Sequence, residues 1–316
     1  MEFRSLVLAV DGKAGHERQA VAVAQRLLPP QIVRLPRRGA APRDIALDGV
    51  ALVVAAGRQA IAPARALLAR TPRPVVAVLQ PVLWRPHEFD LIWSPEHDRA
   101  GVRLLRPGGA NHMETITTPS PLTDNAIEAG LAAHADALSG CPQPRIAVLV
   151  GGPSRTHRFG SLEADEFGAR LAAFSRTHQA SLIVATSPRT TPDVAARVAS
   201  RLSGLPHLFF DYRTTPDPSS AYAATLGASS AIIATSDSTA MLSEAVATGK
   251  PVYGWRLPGG KAKYERFYDR LIAHGAMRWF DGRFDLWTYQ PLNAANAIAA
   301  RLAPAVGLLT GPSERK

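Results

Sequence analysis

Residues 139–152 read Ser139-Gly140-Cys141-Pro142-Gln143-Pro144-Arg145-Ile146-Ala147-Val148-Leu149-Val150-Gly151-Gly152. Ser139-Gly140 closes a helical pattern, and two prolines in three residues stop the helix and stiffen the link that follows. Arg145–Val150 then reads as a strand with no polar alternation. Such a strand is buried on both faces, as in a parallel sheet covered by helices. Outward toward the C-terminus, similar short apolar runs lie at Ser181–Ala185, Pro206–Phe210, Ala231–Ala234 and Pro251–Gly254. Helical patterns at about Glu163–Thr177, Thr191–Leu202, Tyr222–Leu226 and Thr239–Thr248 separate them. A helix over Tyr264–His274 follows the Gly/Pro-rich loop Leu257–Lys261, and another covers Pro291–Ala303.

Toward the N-terminus the same design occurs once more. Strands are expected at Ser5–Val10, Gln31–Leu35, Ala51–Ala55, Val75–Leu79 and Asp90–Trp93, with helices over Gly15–Leu28, Arg58–Arg70 and Leu122–Leu138. Val21, Ala24, Leu27 and Leu28 recur at three- and four-residue spacing, as one apolar helix face requires. The fold class is therefore α/β, with two Rossmann-like parallel-sheet domains expected to face one another across a cleft. The expected division is 1–140, 141–290, and a C-terminal helix with a frayed tail over 291–316.

The chain has 316 residues, enough for about two domains at roughly 100–200 residues each. Its net charge is +10. Residues 1–140 carry 16 basic and 13 acidic side chains, and the remainder carries 20 and 13. The excess thus favours the second half, and it is dispersed: no run of five basic residues occurs, which argues against a nucleic-acid partner. Only Lys13, Lys250, Lys261, Lys263 and Lys316 are lysines. Arginine suits bidentate phosphate contacts, so a small phosphorylated ligand and a plain arginine-rich bias stay open together. The single cysteine, Cys141, excludes an intramolecular disulfide and a multi-cysteine zinc site, and fits a reducing cytosol. Leu6–Val10 is too short for a signal peptide and is followed by Asp11; no run of about 18 apolar residues exists. A cytoplasmic protein is expected, with peripheral attachment at the inner face of a membrane left open and the oligomeric state undetermined.

In open α/β sheets, ligands bind beyond the carboxyl ends of the strands, so the loops after strands are the candidates. Asp11-Gly12-Lys13-Ala14-Gly15-His16 follows the first strand. Gly12 and Gly15 allow a tight turn at a helix N-terminus, Lys13 adds positive charge, and His16 or Asp11 is a candidate base. A helix-capping turn is the plain alternative. Gly151-Gly152-Pro153-Ser154-Arg155-Thr156-His157-Arg158 repeats the design, with Ser154, Arg155 and Arg158 as anion partners. Thr186-Ser187-Pro188-Arg189-Thr190-Thr191-Pro192 offers Ser187 and Arg189, or merely a helix cap. Thr235-Ser236-Asp237-Ser238-Thr239 places Ser236, Asp237, Ser238 and Thr239 at a helix start, and Glu244 one to two turns on can accept from vicinal hydroxyls. No G-x-G-x-x-G, P-loop, Tyr-x-x-x-Lys pair or G-x-S-x-G elbow is present, which excludes dinucleotide oxidoreductases and serine hydrolases of the usual pattern. No spacing suits a metal ligand set.

The motifs S-D-S-x-x-M-x-x-E-A-x-x-T-G-K-P-V (236–252) and D-G-K-A-G-H-x-x-Q (11–19) resemble the ELM-type mitochondrial fission family, which has bacterial members. Pro95-Glu96-His97-Asp98, Gly151-Gly152, Thr186–Thr190, Arg266-Phe267, Gly275, Arg278 and Phe280 extend the likeness over nearly the whole chain; Pro188 stands where the family tends to carry a second arginine. That family in turn resembles GT-B glycosyltransferases. The resemblance implies a nucleotide-sugar ligand of the UDP or GDP type and no cofactor or metal. It implies phosphate contacts from Gly151, Gly152, Ser154, Arg155, Ser187, Arg189, Ser236, Ser238 and Thr239, and ribose contact from Glu244. The acceptor stays unknown. The second expectation is a non-catalytic adaptor, for which Trp84/Trp93 and Tyr264/Phe267/Tyr268 are candidate surfaces, although core packing accounts for them more simply.

Overall fold

The computed structural model describes residues 3–10, 13–36, 45–101 and 109–310. Asp11 and Gly12, and the tail beyond residue 310, lie outside the described residues. The first sheet is built from β1 (Arg4–Val10), β2 (Pro30–Leu35), β3 (Val50–Ala56), β4 (Val75–Leu79), β5 (Leu91–Pro95) and β6 (His112–Thr115), with α1 (Ala14–Ala24) after β1 and α2 (Ile61–Leu67) after β3. Its order is β2-β1-β3-β4-β5-β6, parallel throughout. The absence of polar alternation in β3 has a direct cause. Leu52 and Val54 pack under α1, while Val53 and Ala55 pack under α2, so both faces are buried.

The chain continues through α3 (Asp124–Ala133), α4 (Ala135–Ser139), β7 (Arg145–Val150), α5 (Ser161–His178), β8 (Ser181–Thr186), α6 (Pro192–Leu202), β9 (His207–Phe210), α7 (Pro218–Ala228), β10 (Ala231–Thr235), α8 (Thr239–Ala247), β11 (Val252–Trp255), α9 (Ala262–Ala273), β12 (Met277–Trp279) and α10 (Ala294–Thr310). The second sheet has the order β12-β11-β10-β7-β8-β9, again all parallel. Phe167 and Leu171 of α5, with Val194 and Val198 of α6, cover Ile146, Val148 and Val184 on one face. Ala224 of α7 and Leu138 of α4 meet Ile183 on the other.

Two features differ from the sequence reading. The chain divides into one unit of residues 1–121 with 293–316 and another of 122–292, rather than near residue 140. The reason is packing: α3 lies against α7, close enough that a Cβ on Gly130 would meet the Ser220 carbonyl. The C-terminal segment is no separate tail either. α10 runs to Thr310, and its Ala295, Ile298, Leu302 and Val306 complete the core under the first sheet.

The second unit also contains a half-buried cap. The Lys250 Nζ donates to the carbonyls of Leu226 (2.6 Å) and Gly227 (2.8 Å) in the last turn of α7, and burial pushes its amine down to about 8. Lys250→Met keeps the stem but leaves both carbonyls without the amine, so the unfolding free energy should fall by about 2 kcal/mol in urea titration.

Candidate functional site

In the second sheet the chain moves outward from β7 to β8 and β9, then returns to lay β10 on the other side of β7. The strand order reverses between β7 and β10, and their outgoing loops part there. Those loops carry Gly151-Gly152 and Ser236-Asp237. They are tied together by one carboxylate. Asp237 has a fully buried side chain. Its Oδ2 accepts from the Gly152 N–H (3.1 Å) and from Arg189 Nη2 (2.6 Å), and its Oδ1 accepts from the Thr235 hydroxyl (2.6 Å). Thr235 in turn accepts from the Gly151 N–H (2.8 Å). Arg189 Nη1 closes the circuit on the Gly152 carbonyl (3.1 Å).

This arrangement differs from the expected roles. The amides of Gly151 and Gly152 were expected to face a phosphate; they donate to Thr235 and Asp237 instead. Asp237 was expected at a ligand surface; it points inward and acts as the resident anion of the loop cluster. Ser236 is buried as well: its Oγ accepts from Leu257 N–H (3.0 Å) and its carbonyl from the Tyr268 hydroxyl (2.6 Å). These four residues form the frame of the site. Arg189 stands at its rim, with 39% of its side chain exposed and two of its nitrogens already fixed.

Around that frame the remaining candidates, Glu244 excepted, lie nearer solvent. Ser238 caps α8 by accepting from Met241 N–H (3.3 Å), and Thr239 and Ala240 form an accessible first turn. Ser187 accepts from the Arg189 N–H (3.3 Å) and pairs with Thr190 (3.1 Å), whose hydroxyl is also in contact with the Val150 and Gly151 carbonyls. Ser154 accepts from the amides of Thr156 and His157, closing a turn that leaves Arg155 exposed. Arg158 is drawn to Glu163 (2.7 Å) at the start of α5. Glu244 is buried rather than on a solvated helix face, and accepts from the Tyr222 hydroxyl of α7 (2.7 Å).

His157 and Tyr222, which carried no role in the sequence reading, also belong here, as does Tyr268, named there only as part of a candidate surface. His157 is buried, pairs with the Tyr268 hydroxyl (3.3 Å) and packs edge-on against Tyr264 (4.9 Å). Burial lowers its pKa below the ordinary histidine value, so the imidazole is neutral at pH 7. Tyr222 and Tyr268 reach the site from helices remote in sequence, and no local spacing announces them.

The first sheet has its own reversal, between β1 and β3. His16, in the first turn of α1, lies against Gly57, the residue after β3. Gly57 sits at φ +90°, and a Cβ there would be 2.6 Å from His16 Nδ1. That nitrogen is buried with no hydrogen-bond partner among the described residues. Burial first, then the Lys13 charge, lowers the His16 pKa, which keeps the ring neutral and able to take a proton. Gly15 has open space around it. Among the described residues no group of three His, Cys, Asp or Glu could hold a metal ion.

The family model described as Mitochondrial fission ELM1 matches residues 14–306. The chain belongs to this family. Within it, the chain is 28% identical over 278 residues to the Mitochondrial fission protein ELM1 of Arabidopsis thaliana, covering 81% of this chain and 64% of that protein. An uncharacterized protein of Rickettsia prowazekii is 26% identical over 157 residues, 48% of this chain and 44% of its own length. The match therefore spans less than two thirds of either curated relative. Among solved structures, the UDP-GlcNAc 2-epimerase of Neisseria meningitidis bound to UDP-GlcNAc is similar, at 12% identity and a TM-score of 0.47, over 95% of this chain and all of that one. The ELM1 family match takes in every described candidate residue except Lys13.

Proposed function

We propose that the chain binds a nucleoside diphosphate-sugar of the UDP or GDP type and passes the sugar to an acceptor hydroxyl. The observation that carries this reading is Arg189: a guanidinium fixed by Asp237 and the Gly152 carbonyl, half-exposed, next to the accessible first turn of α8. A fixed cation beside free helix-end amides suits a diphosphate, and most of all one on which charge is growing as it leaves. Ser154, Arg155, Ser187, Ser238 and Thr239 line the same loops and complete the phosphate contacts. Glu244, oriented by Tyr222, accepts from the ribose hydroxyls. In the reaction the acceptor oxygen bonds to the anomeric carbon as the carbon–oxygen bond to the diphosphate breaks. Within the first unit, His16 is a neutral imidazole able to take a proton from a hydroxyl bound there.

Calorimetry with UDP, GDP and UDP-GlcNAc tests this. Arg189→Ala should weaken nucleoside-diphosphate binding on the order of tenfold or more. Glu244→Gln should keep the Tyr222 bond and affect nucleotides but not inorganic pyrophosphate. Failure of the unaltered protein to bind any nucleotide removes the reading. A second reading, an interaction protein without turnover, is favoured by one observation: the Gly151 and Gly152 amides are committed to Thr235 and Asp237. It expects no nucleotide affinity in the same titrations.

A further inference from the structure

The loop after β4 carries two adjacent large apolar side chains turned to solvent, Leu83 (65% exposed) and Trp84 (63% exposed). Of the other aromatic residues considered as a surface, Trp93, Phe267 and Tyr268 are buried and Tyr264 is half-buried. Such a pair is costly to leave in water without a use. The loop is also held in shape. The Arg65 guanidinium donates to the Trp84 carbonyl (2.6 Å) and lies 4.6 Å from the centre of its ring, and the Arg85 guanidinium lies 5.4 Å from it. Arg85 itself turns the chain in the left-handed region, at φ +49°. Both arginines share one acid, Glu88 (2.7 and 2.8 Å), leaving an excess of positive charge. Exposed Arg58 follows β3, the parallel neighbour of β4, and so lies at the same carboxyl end of the sheet.

We infer that Leu83 and Trp84 insert into the interface of an anionic bilayer, with Arg58, Arg65 and Arg85 facing the lipid headgroups. Two guanidiniums already lie over the Trp84 ring, which argues against its use as a stacking platform for a sugar. An apolar tip ringed by arginine is the combination that partitions into an anionic interface: tryptophan favours the headgroup level, and arginine is attracted by the negative surface potential. Two side chains give reversible attachment, not permanent anchoring. The inference is independent of the nucleotide reading, since it uses no residue of the phosphate loops.

Co-sedimentation of the full chain with phosphatidylcholine vesicles, with and without phosphatidylglycerol, tests it. Binding should require phosphatidylglycerol and weaken as salt is raised. The double variant Leu83→Ser/Trp84→Ser should bind on the order of tenfold more weakly, with a thermal midpoint close to that of the unaltered protein, because both side chains are exposed and the Arg65 bond to the residue-84 carbonyl is kept. Brominated lipid should quench the fluorescence of the unaltered protein and quench Trp84→Phe less. The inference is overturned if the unaltered protein ignores anionic vesicles, or if the double variant binds as well as it does. It is equally overturned if the pair proves to be a self-association face, with a dimer lost in the double variant and no vesicle binding.

Discussion

Asp237→Ala is expected to lower the unfolding free energy by about 3 kcal/mol in urea titration, because it strands buried groups rather than merely deleting a contact. The Gly152 N–H and the Thr235 hydroxyl both lose their acceptor inside the loop cluster. Neither can turn to water without separating the loops after β7 and β10. Arg189 loses its counter-charge too, but its half-exposed guanidinium can rehydrate, so the two neutral donors account for most of the loss. Asp237→Asn isolates the charge. An amide oxygen can still accept from Gly152 or Thr235, so the stability change should be smaller, about 1 kcal/mol. Arg189 is then held less firmly, and the nucleotide binding proposed above should weaken by more than the loss of stability accounts for. Equal stability of Asp237→Ala and the unaltered protein would show that the carboxylate does not organise these loops.

The strand series was legible because buried parallel strands are apolar without interruption, as β3, β7 and β10 are. The two strands that the sequence did not reveal, β6 (His112–Thr115) and β12 (Met277–Trp279), are both at sheet edges. An edge strand has one solvated side and needs no apolar run, so His-Met-Glu-Thr carries no signal. α7 begins earlier than its apolar pattern because Asp217 accepts from the amides of Ser219 and Ser220 and Pro218 occupies the first turn. The positions of the loops followed from the strands, since every loop of the second-sheet cluster leaves a strand's carboxyl end. The direction of each side chain did not follow. Asp237 reads in sequence as a polar loop residue like Ser238; only the fold turns one inward and leaves the other to cap a helix. Tyr222 and Tyr268 belong to helices whose approach depends on packing, and the return of α10 to the first unit depends on which core lacks a cover.

Gly152→Ala should be the more damaging of two glycine substitutions, with an expected loss of roughly 3 kcal/mol or more. A Cβ at 152 would overlap the Arg189 carbonyl and lie 2.7 Å from the Thr190 nitrogen. These are backbone atoms, so no rotamer change relieves the clash. The opposing loop cannot easily retreat, because the Thr190 hydroxyl lies 2.8 Å from the Val150 carbonyl and 2.7 Å from that of Gly151. The Ser187 N–H also donates to the same hydroxyl (2.9 Å). Relief therefore means parting the loops after β7 and β8, which also moves Arg189. Thermal unfolding should show a much lower midpoint, and the nucleotide binding proposed above should be lost from any folded fraction. Gly15→Ala is the control. It lies inside α1 with nothing within 4 Å of an added Cβ, so helix propensity alone should leave stability equal or slightly raised. Comparable losses from both substitutions would show that backbone flexibility, not the close approach of Gly152 to Arg189, is what these glycines provide.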